Sequence, residues 1–170
     1  MNKVYLNKTH LNILKTFFNK NLTYEKFAIV LFDINTYEKE TNFNIKYIIT
    51  PPPKAIIESN DFIIRVDPRF YKYYIRYSKE KKLGFILAHN HPGGIMSDFS
   101  ISDKCTEEKI IKLLLINNEI KYHGSMVFNL DTFKIRILWN NELSTINEFI
   151  IKDDYQYFHL EKVEDQYKYR

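Results

Sequence analysis

Two of the chain's five histidines stand two residues apart at the end of an apolar run, in GFILAHNHPGG, residues 84–94. On a strand, residues i and i+2 share a face, so His89 and His91 present two imidazoles side by side where the run ends. That is a metal-ready pair. Pro92 cannot donate to a sheet ladder, and Gly93 and Gly94 let the chain turn back over the site without side chains in the way. The turn leads into SDFSISD, residues 97–103, at the start of a helical pattern, where Asp103 can supply an oxygen ligand. Two imidazoles and one carboxylate leave a fourth tetrahedral position for water, the arrangement of a catalytic ion and not of a structural one. Hydrolysis of an amide also needs a group that takes a proton from water and hands it to the leaving amine. Glu25 heads the apolar run EKFAIVLF, where a charge has no packing reason to stand, and a neighbouring sheet position brings it beside the two histidines. Ser100, three residues before Asp103, is placed to donate to an oxyanion.

Each of these residues has a plainer use. Ser100 and Ser102 are natural N-caps, Asp103 favours a helix start with or without metal, and Glu25 can be a solvated charge at a strand edge. His10, His123 and His159 stand alone and are read as packed or surface residues, and Cys105 as a small helix residue. It is the combination, His-x-His-Pro closing a strand, a glycine turn, and Ser-x-x-Asp opening a helix, that points to a metal.

The elements that must position these groups follow from periodicity. KTHLNILKTFFNKN carries apolar residues at helical spacing, with Thr9 as its expected N-cap. YEKFAIVLFDIN, residues 24–35, and FNIKYIIT, residues 43–50, read as paired strands, the second broken by Pro51–Pro53. PRFYKYYIRYSKEKK predicts a second helix whose Tyr71, Tyr73, Tyr74 and Tyr77 form core and rim, with proline in its first turn. LGFILAHNH is then a central strand, DKCTEEKIIKLLLINN a third helix, and HGSMVFNLDTFKIRILWNN two strands about a turn at 129–132. The tail 151–170 is polar and tyrosine-rich, without a clear pattern.

A chain of 170 residues suits one domain, 1–150, with a polar extension, 151–170. A formal charge of +4 without clustering argues against a nucleic-acid surface. A single cysteine excludes an internal disulfide and a thiolate zinc site. With no signal-peptide core and no apolar run of membrane length, a cytoplasmic protein is expected.

Glu25, His89-Asn90-His91-Pro92 and Ser100-Ile101-Ser102-Asp103 together resemble the motif of the JAMM metalloproteases of the JAB/MPN family, most of all the bacterial JAB branch that accompanies ubiquitin-like conjugation. The resemblance covers most of residues 5–150. It implies an α/β fold, with a curved, mainly antiparallel sheet flanked by helices, similar to cytidine deaminases. It also implies zinc (Zn2+) on His89, His91 and Asp103, Glu25 as general base and acid, and Ser100 on the tetrahedral intermediate. The activity implied is isopeptidase or peptidase cleavage of a ubiquitin-like protein from a conjugate or precursor. E1-like and E2-like partners and a role in antiphage defence go with it. The interval between His91 and Ser100 is one residue longer than in the family, which leaves Ser97 and Asp98 as rivals; only Ser100 and Asp103 keep both the spacing and the helix start. A DNA-associated module like the RadC family, which shares the HNHP run, and a non-catalytic MPN scaffold are the other expectations.

Overall fold

A computed structural model describes residues 2–37, 40–61, 63–94, 98–117, 122–129, 132–139, 142–146 and 149–152. At its centre, β2 (Phe27–Tyr37) and β6 (Gly84–Asn90) run antiparallel, with Phe27 opposite His89. Both are β-branched and aromatic, and every residue of β6 is buried, as expected of a strand covered on both faces. Alternation divides their side chains between two cores. Ala28, Val30, Phe32, Ile86 and Ala88 face α1 (Lys8–Asn19), which seats Leu14 and Phe18 on them. Phe27, Ile29, Leu31, Phe85 and Leu87 face the other way, towards Phe70 and Tyr74 of α2 (Pro68–Lys81) and Leu114 of α3 (Ile101–Asn117). Helices therefore cover both faces, and each wholly buried phenylalanine contributes roughly 1.5–3 kcal/mol by leaving water.

From this centre the sheet grows outward. β3 (Glu40–Ile49) pairs antiparallel with β2, β1 (Asn2–Asn7) parallel with β3, and β10 (Phe149–Lys152) parallel with β1. On the other side β7 (Tyr122–Asn129) runs parallel to β6, and β8 (Thr132–Trp139) and β9 (Glu142–Ile146) follow antiparallel. The result is an eight-stranded sheet of order β10-β1-β3-β2-β6-β7-β8-β9. The class is α/β, as the sequence implies, and the sheet is mixed: the pairings β2–β3, β2–β6, β7–β8 and β8–β9 are antiparallel, and β1–β10, β1–β3 and β6–β7 parallel. Parallel neighbours need a crossover, and α3 is that crossover between β6 and β7. β10 takes residues 151 and 152 of the expected extension into the sheet; the rest of that tail, with His159, lies outside the described residues.

Two further differences from the sequence expectations bear on the site. After the triple proline, β4 (Ile56–Ser59) and β5 (Ile64–Val66) form a small separate antiparallel pair to which no pattern pointed. The N-cap of α1 is Asn7, not Thr9: the helix begins at Lys8, and the Asn7 side chain accepts from His10 N–H at 2.7 Å.

Gly124 on β7 lies so close to β8 that a Cβ there would collide with the backbone carbonyl oxygen of Arg136, an atom that the sheet holds in place. Gly124→Ala is expected to lower unfolding stability by about 1–3 kcal/mol in denaturant titration; an unchanged midpoint would show that β7 and β8 are not paired in this register.

Candidate metal centre

His89 is the last but one residue of β6, and His91 follows directly after the strand. Their Nε2 atoms lie 3.2 Å apart. Asp103, in the first turn of α3, reaches down between them, its Oδ1 at 3.1 Å from His89 Nε2 and its Oδ2 at 3.2 Å from His91 Nε2. Four-coordinate zinc with bonds of about 2.0 Å places its ligand atoms about 3.3 Å apart, and each imidazole nitrogen stands at that spacing from the other and from one Asp103 oxygen. The donor set fits a divalent ion, and among the described residues it is the one cluster of three or more metal-ligating side chains with ligand atoms close enough to share one.

Ser100 is the N-cap of α3. Its Oγ accepts from Asp103 N–H at 3.1 Å, and the Asp103 carboxylate accepts from Ser100 N–H at 2.6 Å, a reciprocal box that aims the carboxylate. The plainer use of Ser100 and its proposed use thus coincide in one residue. Of the rivals, Asp98 turns away: it is exposed, accepts from Phe99 N–H and pairs with Lys134 Nζ at 3.1 Å. Ser97 lies outside the described residues.

Glu25 stands two residues before β2 begins and so does not open that strand, contrary to the sequence expectation. Its place comes from its neighbours. Lys26 N–H donates to Asn90 Oδ1 at 2.7 Å, and Asn90 N–H to the Lys26 carbonyl at 3.3 Å, prolonging the β2–β6 ladder past its end. Lys26 Nζ donates to the carbonyls of Phe17 and Phe18 at 2.9 and 3.3 Å, supplying the positive charge that the C-terminus of α1 otherwise lacks. From the opposite side the β4–β5 pair contributes: Glu25 N–H donates to the Asn60 carbonyl at 3.0 Å, and Ser59 Oγ–H to the Glu25 carbonyl at 3.1 Å. Gly93, at a φ of 77°, donates its N–H to the Leu22 carbonyl at 2.9 Å and ties the glycine turn to the same segment.

These ties set Glu25 in the wall of a cleft of about 340 Å³ that His89, His91, Ser100 and Asp103 also line. Burial pushes the Glu25 carboxyl above its ordinary range; His89 and His91 pull it down, and the charge on Asp103 pushes it up. Burial also opposes the charge on Asp103, but there the hydrogen bonds and charges of His89 and His91, with Ser100, prevail and hold it well below the usual carboxylate range. One carboxyl is thus biased towards taking a proton and the other towards staying charged. Apolar side chains, Phe27, Ile63, Leu87 and Ile110, also line the cleft, with Tyr71, whose hydroxyl burial pushes up to about 12.

Sequence reasoning missed Asn90, whose side chain accepts from Lys26 N–H, and Glu107 and Ser125, which line the cleft and bond to each other. Asn90 stands inside the His-x-His run and was readable there in principle; the other two meet only through the fold. His10 and His123 are buried away from the cluster, and Cys105 is exposed on α3.

Compared with models of protein families and with curated proteins, the chain matches none. Among the described residues no helix is long and apolar enough to cross a membrane.

An ion at 100 times its dissociation constant adds about 2.7 kcal/mol to stability. Zinc titrated into the wild type is expected to raise its melting temperature, and into His91→Ala, which changes a side chain just beyond the end of β6, to leave it unmoved. Equal shifts in both proteins would place any bound ion elsewhere.

Proposed function

We propose that this chain is a zinc-dependent isopeptidase or peptidase of the JAMM type that releases a ubiquitin-like protein from a conjugate or a precursor. The observation that carries the proposal is the meeting of two imidazoles and one carboxylate at ligand spacing, in the same cleft as a second, separately held carboxyl group and a serine hydroxyl. A divalent ion held by His89, His91 and Asp103 supplies Lewis acidity, which polarises a carbonyl and lets water lose a proton near neutral pH.

The chain's own residues do the rest. Glu25, whose burial raises its affinity for a proton, takes one from the attacking water and delivers it to the leaving amine nitrogen. The Ser100 hydroxyl, held against Asp103, donates to the oxygen that gains charge as the carbonyl becomes tetrahedral. His89 and Asp103 are kept in place by strand and helix backbone, so little reorganises during the reaction. No covalent enzyme intermediate is needed, and the exposed Cys105 has no part.

The substrate segment must enter the cleft extended, since a folded globule is too large for about 340 Å³. The β4–β5 pair beside the cleft is a short free-standing sheet, and an extended tail can add to the edge of such a sheet as a strand. This supports a flexible C-terminal tail, as ubiquitin-like proteins carry, as the segment cut. Proteins with E1-like and E2-like activity would make the conjugate, in an antiphage defence system or elsewhere in the cytoplasm.

A ubiquitin-like protein fused through its C-terminus to a reporter should be cleaved by the zinc-loaded wild type, and Glu25→Ala should be slower by about 10²–10⁴-fold. Because Glu25 must be ionised to accept a proton, cleavage should fall off on the acid side as its carboxylate protonates, and burial favours that protonation. Equal rates for both proteins would remove Glu25 from the reaction.

A further inference from the structure

The first two turns of α3, which carry Asp103, bury no apolar side chain. Ile101 is 81% exposed, and Ser102, Lys104, Cys105, Thr106, Glu108 and Lys109 are exposed too. Only Asp103 and Glu107, one turn apart on the same side, turn inward; apolar packing begins with Ile110 and Leu114. Glu107 is buried, 4% exposed, and receives hydrogen bonds from Ser125 Oγ–H of β7 on one carboxylate oxygen and from Arg136 of β8 on the other.

The sheet beneath explains why this pair of contacts matters. Strand register puts Phe27, His89, Val127 and Lys134 in one row across β2, β6, β7 and β8, and Ile29, Leu87, Ser125 and Arg136 in the row two residues further in. Four residues of helix rise about 6 Å, close to the roughly 6.7 Å spanned by two residues of strand. Asp103 over the first row and Glu107 over the second therefore set both the rotation and the height of α3. The same strand, β8, also holds the segment leading into the helix: Arg136 stacks on the Phe99 ring with its guanidinium carbon 4.0 Å from the centroid, and Lys134 pairs with Asp98 at 3.1 Å. Phe99 in turn meets the His89 ring edge-on. Burial lowers the tendency of the Arg136 guanidinium to stay charged, and Asp103 and Asp98 raise it.

We propose that the buried Glu107–Arg136 pair, with Ser125, is a positioning device that registers α3 on the sheet so that Asp103 meets His89 and His91. Such a pair is a poor stabiliser: removing two charges from water costs much of what their attraction returns, and an apolar pair of similar volume serves stability as well or better. What it supplies is direction, since a charged pair with fixed donors accepts one geometry where a greasy contact accepts several.

The inference rests on metal binding at His89, His91 and Asp103, and binding itself is the readout. Zinc affinity is measured by competition with a chromophoric chelator, and site geometry by the visible spectrum with cobalt, for wild type, Glu107→Gln and the double variant Glu107→Leu/Arg136→Met. The expected result is a loss of about 10–100-fold in affinity in both variants, with a cobalt spectrum changed from wild type, while the double variant melts no lower than wild type in the absence of metal. Wild-type affinity in the double variant overturns the inference alone. Affinity lost together with the fold in both variants overturns it too, by making the pair structural. A wild type that holds no zinc brings down the metal reading and this inference with it.

Discussion

Two imidazole nitrogens 3.2 Å apart, each within 3.2 Å of one oxygen of the same carboxylate, are held where β6 ends and α3 begins. Imidazole N–H groups can donate to the two carboxylate oxygens, and a shared divalent cation would take the place of those protons and draw on all three side chains at once. Each unusual feature nearby serves that junction: the proline that stops the ladder, the Ser100–Asp103 box that aims the carboxylate, and the clamp of Asn90 on Lys26 that brings Glu25 alongside.

The mixed sheet is part of the same solution. Because β7 runs parallel to β6, the chain must leave β6 at the histidine end and cross over the face that carries His89 before it returns. The crossover helix thus lies over the imidazoles, and its first turn brings Asp103 to them. Parallel order also aligns Ser125 and Arg136 behind the histidine row, where the helix finds its second point of contact. Chemistry at the strand end and register of the crossover helix are two consequences of one topology.

How much of this the residues announce depends on sequence distance. His89, His91, Ser100 and Asp103 fall within 15 positions of each other, and their spacing by two and by three already states which faces they share. The helices are legible for the same reason: Pro68 opens α2, and the aromatics from Phe70 to Tyr77 recur at its period. Glu107, Ser125 and Arg136 meet across 18 and 29 residues, and nothing local marks a glutamate on an otherwise polar helix as buried. Strand polarity is equally silent, since a strand's pattern is the same read in either direction, so nothing in the residues marks β1–β3 and β6–β7 as the parallel pairings within the sheet. β4 and β5 are too short to show a period. Glu25 is legible as a misplaced charge, but its exact support is not, because it comes from backbone groups of Asn60 and from a side chain in the middle of the histidine motif.

The most direct test of the central claim is a crystal of zinc-loaded protein with data collected on both sides of the zinc absorption edge. A single strong anomalous peak about 2.0–2.2 Å from His89 Nε2, His91 Nε2 and an Asp103 carboxylate oxygen is the predicted result. A peak elsewhere, or the three side chains turned apart with none between them, would contradict it.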